Sequence, residues 1–180
     1  MNPSPKDFCK SNDVCPEEKP FVLQYKTMSE AWNACPRADW LIWILEKIGH
    51  KLDSKTLRLF VCWCVRETPL FGGQKVWDLL TDERSRNAVV VTERFANGDA
   101  TEEELADARD AARDASWSAA WSAAWAARYA ASAAEDAPDA AWSAAWFAAS
   151  SPSDASDAGS HAQVCQANHF RTLFKNPFQN

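Results

Sequence analysis

The sequence predicts an all-α protein: a bundle of short helices packed on a long Ala/Trp-rich helical hairpin. Three observations carry this. Residues 116–149 repeat Ser-Ala-Ala-Trp with a four-residue step. No Gly or Pro interrupts the chain between Gly98 and Pro138. In the first half, apolar residues recur at helical spacing and are punctuated by caps and stops.

The repeat forms a helix for a physical reason. Ala loses no side-chain entropy in a helix and is a poor strand former. Trp117, Trp121, Trp125 and Tyr129 fall on one helix face, drifting by about 40° per step because 3.6 does not divide four. Asp136-Ala137-Pro138 is a break and a restart, with Pro138 at the first turn. The second leg, Pro138 to Ala149, carries Trp142, Trp146 and Phe147. The short link predicts an antiparallel hairpin. The aromatics Trp117, Trp121, Trp125, Tyr129, Trp142 and Trp146 are the candidate partner-binding face. Packing of the same stripe in the core, or between copies of the chain, is the structural alternative.

The other elements follow in order. Residues 1–27 are expected to be an irregular arm, because Pro, Lys, Asp and Glu dominate its start. Within it, Phe21 to Tyr25 is a short strand or extended lead-in. Ser29 is expected to cap a helix ending at Cys35-Pro36. Arg37 to Ile48 is the next helix, striped by Trp40, Ile44 and Ile48 and stopped by Gly49. Asp53 or Ser54 caps a third, through about Arg66, with Leu57, Phe60, Val61 and Cys64 inward. Val76 to Leu80 is a short turn. Thr81 or Asp82 opens a helix that Asn97-Gly98 closes. Thr101-x-x-Glu104 is a capping box. The helix after it is expected to reach Glu135, about 50 Å on. Residues 150–160 are a linker, and His161 to Phe174 a last helix. Residues 28–100 thus form a short-helix bundle, continuous in one domain with residues 101–180.

Charge limits the partners. The formal net charge is −6, and residues 101–180 hold 5 Lys and Arg against 11 Asp and Glu. All the net charge therefore lies in the Ala/Trp half, which argues against nucleic acid as its ligand. The polar N-terminus lacks the apolar run of a signal peptide, and no stretch is long enough to span a bilayer. A cytoplasmic protein with reduced cysteines is expected, and no membrane partner.

Chemistry-bearing residues are few. His161, Cys165 and His169 are spaced i, i+4, i+8, and a pair of them suits zinc or copper. A surface or satisfied His/Cys set is the simpler account, so no metal is assigned. Cys62-x-Cys64 points its thiols about 200° apart on a helix, which suits buried small hydrophobes. Cys9, Cys15 and Cys35 lack C-x-x-C spacing. Arg37, Asp39, Arg58, Arg66 and Glu67 lie among apolar residues, as an acid/base set or as ion pairs fixing helix register. There is no G-x-S-x-G, P-loop or G-x-G-x-x-G. No catalytic residue and no cofactor are assigned.

Several stretches together resemble one family. Glu30-Ala31-Trp32-x-x-Cys35-x-Arg37-Ala38-Asp39-Trp40-Leu41, then Leu57-Arg58-Leu59-Phe60 with Cys62 and Cys64, is similar to the immunity proteins of polymorphic toxin systems and their phage-encoded relatives. Leu79 to Ala88, Phe95 to Leu105, and the ending Phe170-Arg171-x-x-Phe174-x-Asn176-Pro177-Phe178 resemble a set of planctomycete relatives. The resemblance covers residues 28–178. It implies a non-enzymatic inhibitor, toxin-immunity-like or phage counter-defence-like, whose partner is a protein: a toxin, or a defence or host protein. The alternative is a structural protein that self-assembles, with the Trp stripe as its oligomer interface.

Overall fold

A computed structural model describes residues 2–16, 18–70, 73–115 and 156–179, with Ser143 and Phe147 (of residues 115 and 156–160, the backbone only). The described residues are all-α, as the sequence predicts. Eight α-helices follow in order: α1 (Pro5–Ser11), α2 (Lys19–Leu23), α3 (Met28–Ala34), α4 (Ala38–Lys47), α5 (Ser54–Glu67), α6 (Glu83–Asn97), α7 (Glu102–Ala115) and α8 (Ser156–Leu173). A 3-10 turn at Val76–Leu79 stands between α5 and α6. The one β-bridge among the described residues, Pro69 to Lys75, closes the loop after α5. Apart from Ser143 and Phe147, the second leg of the expected hairpin lies outside the described residues, as does the first leg beyond Ala115.

The N-terminal arm is the main correction. Residues 1–27 are not irregular: they hold α1 and α2, and Phe8, Cys9, Val14 and Val22 enter the core. The Ser4 hydroxyl accepts the Asp7 N–H at 3.2 Å, and Pro5 occupies the first turn, where its missing N–H costs nothing. Phe21 to Tyr25 is correspondingly no strand, since Lys19–Leu23 is helical. The cap of α3 moves too. Thr27, not Ser29, caps it, in a reciprocal box with Glu30.

Other boundaries match their signals. The Asp53 carboxylate accepts the Thr56 N–H at 2.8 Å and caps α5. Gly98 closes α6 at φ +84°, a left-handed conformation open to glycine without strain. Thr101 and Glu104 form the expected box, with hydrogen bonds of 2.7 and 3.1 Å. Helix α8 starts at Ser156 rather than His161 and runs through Gly159.

Two apolar clusters organise the described residues. The main core joins α1–α5, the 3-10 turn, Val89 of α6, and Ala167, Phe170, Phe174 and Phe178 at the C-terminal end. Trp32 is its largest fully buried side chain. Phe147 packs on this core from the segment between α7 and α8. The second cluster is small: Ala88 and Val91 of α6 meet Leu105, Ala108 and Ala112 of α7. Helix α6 therefore buries two faces, and the alanines of α7 let its backbone come close.

The C-terminal end is pinned by polar contacts. Arg171 donates to the Trp32 carbonyl at 3.1 Å from Nε and 2.9 Å from Nη2, and also to the Cys35 carbonyl. Asn176 Nδ2 donates to the Ser29 carbonyl at 3.2 Å and to Asn33 Oδ1 at 3.0 Å. Asn2 Nδ2 donates to the Phe178 carbonyl at 2.7 Å, which joins the two ends of the chain.

Candidate functional site

The predicted partner-binding residues Trp117, Trp121, Trp125, Tyr129, Trp142 and Trp146 all lie outside the described residues. The described part of the acidic half is α7. Its capping box fixes the register, Leu105, Ala108 and Ala112 turn inward, and Glu102, Glu103, Glu104, Asp107, Asp110 and Asp114 are exposed. Arg109 and Arg113 share this helix, each within 3.7 Å of Asp110. Acids in the first turn suit the positive helix N-terminus, and those beyond it face solvent.

The candidate acid/base set does not converge. Arg37 holds Asp39 through Nε, 3.1 Å from Oδ1, and through Nη2 to Oδ2, and its guanidinium lies 4.5 Å from the Trp40 ring centre. Asp39 is buried within this pair. Arg66 pairs with Glu93, not with its neighbour Glu67, at 2.5 and 2.8 Å. Glu67 pairs with Lys75 instead. Arg58 lies 5.1 Å from the Phe95 ring centre. Of these pairs, Arg66–Glu93 ties α5 to α6, Arg37–Asp39 sits at the start of α4, and Glu67–Lys75 joins α5 to the loop after it.

One cluster has no counterpart in the sequence reading. The Trp77 ring lies 4.2 Å from the Arg66 guanidinium and 5.6 Å from that of Arg86, joining the 3-10 turn to α5 and α6. Cation–π attraction and the Arg66–Glu93 pair act on the same guanidinium. Nothing local in the sequence links residues 66, 77 and 93.

The cysteines divide by burial. Cys62 and Cys64 are buried, as expected of small hydrophobes, and Cys9 and Cys35 are buried too. Burial pushes the Cys35 thiol up to about 12 and raises Cys62 and Cys64 well above the ordinary thiol range. Such thiols stay protonated and poorly reactive. Cys15 is exposed and Cys165 half-buried.

Of the three-residue spacing on α8, two members meet. Cys165 Sγ stands 3.7 Å from His161 Nε2. His169 turns away and stacks on Trp63, with ring centres 3.9 Å apart and planes 15° apart. No group of three or more His, Cys, Asp or Glu side chains converges for a metal ion among the described residues.

The His169 stack carries a pH dependence. Burial pushes its imidazole below the ordinary value of about 6.5. The unfolded chain therefore takes up the proton first as pH falls. Stability is full above about pH 6.5 and declines below it, until the folded imidazole also titrates. Urea unfolding of wild type and His169→Asn tests this. The wild-type midpoint is expected to fall more than the variant's between about pH 7.5 and 5.5. Equal falls in both proteins would remove His169 as the cause.

No helix among the described residues is long and apolar enough to cross a membrane. No family model, curated protein or solved structure matches the chain.

Proposed function

We propose that the protein is a non-enzymatic, cytoplasmic binding protein that occludes a partner protein, in the manner of a toxin-immunity or phage counter-defence inhibitor. It acts through acidic helix α7 and the Ala/Trp segment that continues from it. One observation carries this reading: the acids of α7 all face solvent while its apolar residues are already satisfied by α6. An acid-rich surface of this kind, with six acids against Arg109 and Arg113, steers and orients a basic partner. The likeness of residues 28–178 to immunity proteins supports the same reading.

The test is affinity capture with wild type and with Glu103→Gln/Asp107→Asn/Asp110→Asn/Asp114→Asn. These side chains are exposed, so the fold should survive. A basic protein should be retained by wild type, be released by salt, and bind the variant at least about tenfold more weakly, as screening of charge pairs requires. Equal retention by both proteins, or none by either, would sink the proposal. Self-association through the Trp stripe is the competing assignment, and light scattering in the same preparation would show it as a mass that falls on dilution.

A further inference from the structure

We propose that His161 and Cys165 form a surface chelate for a soft divalent cation of the zinc type. The two residues are one helical turn apart on α8, so their side chains share a face. Their facing atoms are the right ones. His161 Nε2 and Cys165 Sγ stand 3.7 Å apart. A tetrahedral zinc ion, with Zn–N of about 2.05 Å and Zn–S of about 2.3 Å, separates two such ligands by roughly 3.6 Å. The observed spacing matches that separation, so the backbone of α8 already sets the two ligands at chelating distance.

The surroundings admit it. His161 is exposed, Cys165 is half-buried, and the neighbouring Val164 is 39% exposed, so the site opens to solvent. On binding, the Cys165 thiol passes its proton to water and the thiolate bonds the metal. His161 keeps its proton on Nδ1 and offers the Nε2 lone pair. Two coordination positions remain for water. His169 contributes nothing, because its ring is committed to Trp63. Soft thiolate with imidazole selects zinc, cobalt or copper over magnesium and calcium.

Cobalt(II), titrated into the reduced full chain, is the probe. Wild type is expected to develop a near-ultraviolet thiolate-to-cobalt charge-transfer band that added zinc abolishes. Cys165→Ser should eliminate the band. His161→Ala should raise the apparent Kd at least about tenfold, since even outer-shell partners of a metal change affinity by that much. Cys15→Ser, which removes the exposed thiol elsewhere, should leave the titration unchanged. Circular dichroism of each variant separates loss of a ligand from loss of fold. Absence of the band in folded wild type, or its survival in folded Cys165→Ser, would overturn the assignment.

Discussion

Replacing Trp32 with Ala is expected to lower the unfolding free energy by about 3–5 kcal/mol, the range for truncating a fully buried aromatic. Trp32 is 0% exposed and lies at a junction of the core. Its ring is 6.4 Å from that of Phe170, which in turn meets Phe60 at 5.1 Å and Phe174 at 4.6 Å. Truncation would therefore leave a cavity between α3 and α8, bordered by rigid rings that collapse poorly. A domain has only about 5–15 kcal/mol to lose. The urea midpoint should drop sharply, and Trp32→Phe should recover much of it. Val90→Ala, on the exposed side of α6, should change stability by less than about 0.5 kcal/mol. A Trp32→Ala protein within about 1 kcal/mol of wild type would mean that this core is not packed as described.

Arg171→Met is expected to cost about 1.5–3 kcal/mol, the range for hydrogen bonds to a charged group. The methionine keeps an apolar stem and removes the guanidinium. That group is half-buried, and burial works against its charge. What offsets the burial is geometry: Arg171 reaches the Trp32 and Cys35 carbonyls, where α3 ends. A cation at a helix C-terminus meets carbonyls that lack intrahelical partners. The loss is partial at Trp32, whose carbonyl also accepts the Cys35 N–H at 3.3 Å. Arg171→Lys should recover less than half, because an ammonium cannot span both carbonyls as a planar fork does. Denaturant unfolding reads both variants. Full recovery by Lys would show that charge alone, without the fork, does the holding. The two substitutions share Trp32, so their effects should not add.

Much of this architecture is legible because caps are written locally. Asp53, Asp82, Gly98 and Thr101-x-x-Glu104 announce α5, α6 and α7 at the residues where these helices begin or end. The failure at residues 1–27 has a related cause. Thr27-x-x-Glu30 is as good a box as Thr101-x-x-Glu104, and Ser4-Pro5 is a regular helix start, but charge and proline hide the few apolar residues. Phe8, Val14 and Val22 are too sparse to show a period, and only the tertiary core explains their burial. Long-range pairing was beyond reach for another reason. Arg66 has an acid beside it in sequence and a better-placed one, Glu93, across a helix interface. Arg171 binds backbone carbonyls, which carry no residue signature. On α8 the i, i+4 pair His161 and Cys165 could be read from spacing. His169 could not be placed, because another turn rotates it toward Trp63.

The join between the two ends of the chain bears on synthesis. Ala167, Phe170, Phe174 and Phe178 complete a core whose other members begin at Phe8. Asn2 is fastened to the Phe178 carbonyl. A ribosome making this chain must therefore release residues 167–178 before the main core can close. Until then, Trp32 and Phe60 lack their shared neighbour Phe170. A chain stopped short of Phe170 would lack the side chain that links Trp32 to Phe60, so the centre of the core depends on the segment made last among its members.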